Sequence, residues 1–263
     1  MFITVGDARI YANAFGPRAA PAILALSGWI GTWEDWADPL GLLSADWRTL
    51  AYDHRGSGAT VAPVESITFE TLVADVFAVL DAYGVERCVL AAMSAGAAVA
   101  FAAALQRPER FSGLVIVNSI NLRDAPQAAS PFLGALQKNY AGALDVFANA
   151  CVPEKDSDHI KRWGRKILDR ADPEAAIALF RMGQAVDLRA ELGRVTQPTL
   201  IIHGDADTIA PLDSARWLAG TLPNARLVVL NGAGHVPIMT RPADVAREIT
   251  AFFADLGGID PAI

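Results

Sequence analysis

The chain has 263 residues, of which 52% are hydrophobic and 19% charged, with a formal net charge of −7. This length and apolar content fit one large domain, or a core carrying an inserted lobe, and the acidic balance counts against general nucleic-acid or anionic-membrane binding. Two cysteines and four histidines form neither a disulfide framework nor metal-ligand spacing, so no metal and no cofactor are expected.

The N-terminal stretch MFITVGDARIY lacks a charged-then-apolar leader, and the Ala-rich run near residue 100 is too short to span a bilayer. A soluble, cytoplasmic protein is expected, acting on a small molecule, without nucleic acid or membrane and with homo-oligomer formation open. Residues Phe2 to Val5 and Ala8 to Phe15 alternate apolar and polar around Gly6-Asp7, which predicts a hairpin. Ala22 to Leu26 is a continuous apolar run, read as a buried strand, followed by the loop Ser27-Gly28-Trp29-Ile30-Gly31. Thr32 to Leu43 reads as helix or turn, and Trp47 to Tyr52 as a strand leading into Asp53-His54-Arg55-Gly56-Ser57-Gly58.

Thr68 to Tyr83 carries Phe69, Leu72, Val73, Val76, Val79 and Leu80 at helical spacing, and Gly84 stops it as a C-cap glycine does. Cys88 to Ala92 is a strand-length run, and Ala97 to Leu105 has strong helix propensity. Ser94 therefore sits where a buried strand turns sharply into a helix, with small residues at Ala92 and Gly96 that let the backbones approach. That is the logic of a nucleophile elbow, G-x-S-x-G, with Ala92 in place of the first glycine; the competing reading is a serine that caps a helix.

Leu114 to Val117 is a further strand, ending at Asn118-Ser119. From about Asn121 the pattern changes to helices at Pro131 to Tyr140, Leu144 to Ala150, Asp158 to Asp169 and Pro173 to Gln184, punctuated by Pro126, Pro131, Pro153 and Pro173. Asp172-Pro173-Glu174 reads as an N-cap followed by proline at the first helical position. The basic stretch Lys161-Arg162-Trp163-Gly164-Arg165-Lys166 is flanked by Asp156, Asp158 and Asp169 and reads as a solvated helix face. Strands then resume at Thr199 to Ile202 and Leu227 to Leu230, with helices at Asp213 to Leu222 and Ala243 to Leu256 and a tail from Gly257-Gly258. Alternating strands and helices predict an α/β fold with a mostly parallel eight-stranded sheet. The expected organisation is residues 1–121 and 196–263 as two parts of one core, with residues 122–195 as a helical cap.

A serine hydroxyl needs a base, an orienter for that base and donors for the oxyanion. Loops after parallel strands lie at one sheet edge, which brings Ser94, Asp207 and His235 within reach of one another. His235 would take the proton from Ser94, and Asp207 would hold the imidazole tautomer. Taken singly, His235 reads as a loop residue and Asp205 and Asp207 as turn residues; the order Ser, Asp, His favours the catalytic reading. Asp207 is preferred to Asp205, which would brace the turn, and the loop offering Asn118, Ser119 and Asp124 ranks lower as the source of the acid. His203 and His54 read as structural, and His159 as a cap residue with little claim on substrate.

With these residues in place the chain resembles the small capped α/β-hydrolases. The resemblance rests on Ser27-Gly28-Trp29, Asp53 to Gly58, Ala92 to Gly96, Gln197-Pro198-Thr199-Leu200 through Asp207, and Gly232-Ala233-Gly234-His235. It implies the α/β-hydrolase fold with helices on both sheet faces, and an oxyanion hole made by the backbone N–H groups of Trp29 and Ala95. Family members commonly carry His-Gly where this chain has Ser27-Gly28; a main-chain donor survives that change. Asp53 and Arg55 match a turn that is mainly structural.

The implied function is a serine hydrolase acting on a small, largely apolar carboxylic ester or lactone, similar to enol-lactone hydrolases and carboxylesterases. The alternatives are a carbon–carbon bond hydrolase, with Arg123 or a cap arginine for a substrate carboxylate, a perhydrolase or other triad chemistry, and a ligand-binding receptor. The expected apolar pocket draws on Trp29, Trp33, Trp36 and Met93 with Phe132, Leu136, Tyr140 and Trp163 of the cap.

Overall fold

Continuous apolar runs become the middle of a parallel sheet, and alternating runs become its antiparallel edge. The computed structural model describes residues 1–120, 122, 124 and 130–257; Arg123, Pro126 and the tail from Gly258 lie outside the described residues. The strands are β1 (Phe2–Val5), β2 (Ala8–Phe15), β3 (Ala22–Leu26), β4 (Arg48–Tyr52), β5 (Cys88–Met93), β6 (Phe111–Val117), β7 (Thr199–Gly204) and β8 (Ala225–Leu230), in the order β1-β2-β4-β3-β5-β6-β7-β8. The β1–β2 and β2–β4 pairs are antiparallel, and every pair from β4–β3 onward is parallel. This is the α/β-hydrolase fold.

Each central strand feeds two cores, because successive side chains point to opposite faces. On one face Leu24, Leu26, Leu90, Ala92, Leu114 and Ile116 pack with α2 (Phe69–Ala82) and α3 (Gly96–Gln106). On the other, Ile23, Ala25, Val89, Ala91, Val115 and Val117 pack with Leu40 and Leu43 of α1 (Ala37–Leu43) and, from the C-terminal helix (Pro242–Asp255), Ile249, Phe252 and Phe253. The buried alanines of α3, among them Ala97, Ala100 and Ala104, let that helix lie close against β5 and β3. Cys88 lies in this core, where burial pushes its thiol up to about 12 and keeps it inert.

Among the described residues, four α-helices occupy the interval between β6 and β7: α4 (Pro131–Lys138), α5 (Tyr140–Cys151), α6 (Asp158–Leu168) and α7 (Pro173–Ala185). The break between the first two falls at Asn139 rather than beyond Tyr140, because the Asn139 side chain accepts the Gly142 N–H and caps α5. Asp172 accepts the N–H groups of Glu174 and Ala175, so the Asp-Pro signal starts α7. The last elements are α8 (Leu212–Thr221), α9 (Pro237–Thr240), a single turn after the His235 loop, and α10 (Pro242–Asp255). Among the described residues no helix is long and apolar enough to cross a membrane.

The turn after β4 is held by a buried ion pair. Arg55 reaches both carboxylate oxygens of Asp75 on α2, at 2.8 and 3.1 Å, and also binds Asp7 and Ser66. Asp75 is fully buried and Arg55 nearly so. Removing one partner strands the other charge in a medium that cannot solvate it. Asp75→Ala is therefore expected to lower stability by about 3–5 kcal/mol, measured as a reduced denaturation midpoint in urea.

Candidate active site

The chain leaves β5 at Ser94 with φ 52°, a left-handed conformation that a residue bearing a Cβ adopts at a cost of about 1–3 kcal/mol. Three backbone hydrogen bonds hold it there: Ser94 N–H to Val117 O, Ala97 N–H to Ser94 O, and Ile120 N–H to Ser94 O. The turn also needs glycine at position 96, since a Cβ there would stand 2.5 Å from the Ser27 carbonyl oxygen. Ala92, by contrast, sits inside the β5 core at full burial, so the substituted first position of the motif is accommodated without strain at the turn itself.

Ser94 Oγ lies 2.9 Å from His235 Nε2, and His235 Nδ1 lies 2.8 Å from Asp207 Oδ2. All three are buried. Burial alone would raise the Asp207 carboxyl, but its hydrogen bond to His235, the charge interaction with that ring and the Ala210 and Asn118 donors outweigh it and hold Asp207 below the usual carboxylate range. An ionised Asp207 only accepts, so Nδ1 carries the imidazole proton and Nε2 is left to accept from the Ser94 hydroxyl. Its other oxygen, Oδ1, takes the Ile209 and Ala210 N–H groups at 2.8 and 3.0 Å, fixing the carboxylate plane. Asp205 is turned elsewhere: its Oδ1 accepts the Gly232 N–H at 2.6 Å and braces the β7 loop against the β8 loop.

Asn118 completes this cluster and was not singled out by sequence reasoning except as a lower-ranked place for the acid. It is fully buried at the end of β6, with φ 42°. Its Nδ2 donates to Asp207 Oδ2 at 2.7 Å and to Gly234 O at 3.1 Å, and its Oδ1 accepts the Gly204 N–H. The available signal was positional: a polar residue closing the strand between the Ser94 strand and the Asp207 strand.

The Trp29 loop runs alongside Ser94. A Cβ on Gly28 would stand 3.1 Å from Ser94 Cβ and 3.6 Å from Ser94 Oγ, so glycine there keeps space open at the hydroxyl. Among the described residues no protein group accepts the Trp29 or the Ala95 backbone N–H. His54 Nε2 meets Gly28 O at 2.9 Å and steadies the loop from behind. His203 is buried within β7 with its Nε2 on Ala210 O at 2.9 Å, and burial lowers its pKa, so it stays neutral.

A cavity of about 60 Å³ opens over Ser94 and His235, walled by Trp29, Gly31, Asp35 and Met93 from the core and by residues of α5 and α6. Of the aromatic and sulfur-bearing residues expected to line it, Trp29 and Met93 do. Trp33 lies instead in a separate groove with Phe15 and Leu40, because the helical turn that follows Thr32 carries it to the far side of the loop. Phe132 stands one layer back, edge-on to Trp29 at 5.4 Å. Tyr140 is absent from the wall, Leu136 is core, and Trp36 is fully buried with its indole N–H on Leu26 O.

Trp163 is 44% exposed, and His159 is exposed as well. The reason is helical phase: Ile160, Lys161, Gly164, Ile167 and Leu168 share the face of α6 that meets the cavity, and Trp163 falls off it. The basic stretch is thus only partly the solvated face that its flanking acids suggested. Phe147, Ala148, Cys151 and Val152 of α5 and its end, not foreseen from sequence, form the rest of the helical wall. Burial, reinforced by the charges of Asp207 and Asp35, pushes the Cys151 thiol up, so it stays protonated beside the serine. Arg123, weighed as a partner for a substrate carboxylate, lies outside the described residues. Among the described residues no group of His, Cys, Asp and Glu has the arrangement of a metal site.

The helical insertion is tied to the site by direct bonds. Cys151 O accepts the His235 N–H at 2.8 Å, Ala150 O accepts the Thr208 hydroxyl, and Glu154 Oε1 accepts both the Gly234 N–H at 2.9 Å and the Thr240 hydroxyl at 2.7 Å. A Cβ on Gly234 would stand 2.3 Å from Pro153 Cδ, so this approach requires glycine. From the other side, Trp29 Nε1 donates to Ala176 O of α7 at 2.7 Å, and its ring meets Phe132, Phe147 and Phe180 edge-on. Asn118→Ala removes a hydrogen bond to the Asp207 carboxylate, a bond class worth about 1.5–3 kcal/mol; the expected outcome is a roughly 10- to 100-fold fall in kcat with KM little changed, measured by steady-state kinetics.

The family model described as serine aminopeptidase, S33, matches residues 32–240. The chain is 30% identical over 253 residues, covering 89% of itself and 94% of the relative, to a Pseudomonas syringae protein provisionally named carbamate hydrolase RutD. It is 31% identical over 235 residues, covering 84% of itself and 91% of the relative, to the pimeloyl-acyl-carrier-protein methyl ester esterase of Nitrosomonas europaea. Among solved structures, the enol-lactonase of Burkholderia xenovorans superposes with a TM-score of 0.89 over 97% of this chain and 100% of its own at 23% identity, a likeness of fold. The chain belongs to the α/β-hydrolases, in the family described as serine aminopeptidase, S33, and is a hydrolase.

Proposed function

We propose that the protein is a serine hydrolase that cleaves a small, largely apolar carboxylic ester or lactone through an acyl-enzyme on Ser94. The observation that carries this reading is the unbroken chain of contacts Ser94 Oγ, His235, Asp207, buried beneath a cavity whose wall is mostly apolar. Ser94 Oγ attacks the carbonyl carbon as its proton passes to His235 Nε2, and the imidazolium so formed lies against the Asp207 carboxylate. The oxyanion takes hydrogen bonds from the Trp29 and Ala95 N–H groups, the latter at the first turn of α3, where the helix dipole favours negative charge. The alcohol leaves with the proton from His235. Water, deprotonated in turn by His235, then releases the acid and restores Ser94.

The small cavity favours a short acyl group, and residues 122–195 serve as the cap that closes over it. Ester and lactone hydrolysis also agree with the names of the esterase and enol-lactonase to which the chain is similar. The carbamate in the name of another relative presents a carbonyl open to the same attack.

Ser94→Ala is expected to reduce hydrolysis of p-nitrophenyl acetate by about 10⁴-fold or more and to abolish labelling by a fluorophosphonate, with the thermal unfolding midpoint preserved; near-normal turnover by this variant would reject the assignment. Asp207→Asn keeps the shape but lets the amide stabilise the wrong imidazole tautomer. A fall in kcat of about 10⁴-fold is expected, read in the same assay.

A further inference from the structure

Two charged side chains of the cavity wall, Asp35 and Lys161, are not used by the chemistry of Ser94, and of the two only Asp35 is buried. Asp35 is 93% removed from solvent, at 7% exposure, yet it belongs to the same wall as Ser94 and His235. The loop is built to bring it there. A Cβ on Gly31 would stand 2.1 Å from Asp35 Oδ2, so glycine at that position makes room for the carboxyl.

Part of the role of Asp35 is local. Its Oδ2 accepts the Thr32 N–H at 3.2 Å and closes a capping box on the turn Trp33–Trp36. A capping carboxyl does this work equally well at the surface, and burial is not needed for it. The neighbouring Ser27 hydroxyl donates to the Thr32 carbonyl. A carboxyl offers about four acceptor positions, so most of its capacity remains for a molecule in the cavity.

We propose that Asp35 is a specificity-determining residue: its carboxyl accepts a hydrogen bond from an O–H or N–H carried on the acyl group, so that the enzyme prefers short acyl groups bearing such a donor over their hydrocarbon counterparts. The proposal rests on the acyl-enzyme reading given above. The acyl group is the part placed here because it stays on Ser94 through both steps, under α5 and α6, while the alcohol departs to solvent. A buried acceptor in a largely apolar wall discriminates strongly, since a substrate lacking the donor leaves its remaining acceptor positions desolvated and unfilled.

The charge surroundings set when the acceptor is strongest. Burial foremost, then the neighbouring Asp53 and Glu34 charges, push the Asp35 carboxyl up to about 7, against the lowering effect of Ser27 and Thr32. Across the cavity stand His235, the neutral Cys151 thiol and Lys161, the last with its ammonium 3.5 Å from Asp158. As pH rises through about 7, Asp35 passes from acid to carboxylate and becomes the better acceptor. Preference for the donor-bearing substrate should therefore increase with pH.

The test compares p-nitrophenyl 3-hydroxybutyrate with p-nitrophenyl butyrate, which share a leaving group and nearly a shape. The ratio of their kcat/KM values cancels effects common to both, including ionisation of the triad. In the unmodified enzyme the ratio is expected to favour the hydroxy ester by roughly tenfold or more and to rise between pH 6 and 8. Asp35→Ala should bring the ratio to about one while butyrate hydrolysis continues. Should that variant fail to fold, the near-isosteric Asp35→Asn carries the test, because its ratio should be flat with pH. A ratio untouched by Asp35→Ala, or one that climbs with pH in Asp35→Asn as in the parent, overturns the proposal. If instead the parent hydrolyses neither ester, or Ser94→Ala hydrolyses both normally, the acyl-enzyme reading fails rather than this one.

Discussion

The geometry of the site depends on the turn at Ser94, where a fully buried strand becomes a buried helix through one residue in a left-handed conformation. That turn is strained, and it persists because its surroundings determine it several times over. Val117 O and Ile120 N–H clamp Ser94 from the β6 side. Gly96 lets Ser27 O come close from the β3 side. Both neighbours are held by parallel pairing with β5, so the sheet order is a condition of the turn, and the turn lifts the hydroxyl out of the sheet toward His235.

The same sheet supplies the remaining polar groups by stepping outward from β5. The end of β6 carries Asn118, the loop after β7 carries Asp207, and the loop after β8 carries His235. Asn118 bonds to both outer loops at once, through Asp207 Oδ2 and Gly234 O, and so converts three independent loop ends into one unit. The helical insertion adds a second set of ties through Cys151 O, Ala150 O and Glu154. A displacement of the α5 end would shift the His235 main chain, whose N–H is bonded to Cys151 O, and the ring with it. Cavity wall and proton-transfer geometry are therefore mechanically connected.

Two carboxyls lie near the serine in opposite electrostatic situations. Asp207 is held low by donors that converge on it, in spite of burial. Asp35 has few donors and acidic neighbours, and burial raises it to about 7. Divergent carboxyl states in one site are a recurrent sign of divided labour. Here the carboxyl held low is bonded to His235, and the one raised to about 7 lines the cavity.

Much of this was legible in the residue order. Apolar runs at Ala22–Leu26 and Cys88–Met93 are unbroken because both faces of a central parallel strand are buried, and that pattern is local. The Ser94 turn announced itself through small residues flanking a serine, and Asp207 and His235 through their places after strands at one sheet edge. Side-chain direction within the helical insertion was not legible: Trp163 and Tyr140 looked like pocket residues by type, but the phase of α6 gives the wall to Lys161, Gly164 and Ile167, and α5 supplies Phe147 and Cys151. Asp35 carried no sequence mark, and Asn118 only its place at a strand end, since their meaning comes from burial and from groups 18 to 116 positions away in the chain, such as Gly234 bonded to Asn118 and the Asp53 charge and Cys151 thiol that interact with Asp35. The sequence by itself determined the alternation of strands and helices and the chemical types at the strand ends, because these follow from local periodicity and turn chemistry. Only the tertiary structure decided which helix faces enclose the cavity and which buried acid confronts it, because those depend on how separately stable elements pack, and packing is a property of no single stretch of chain.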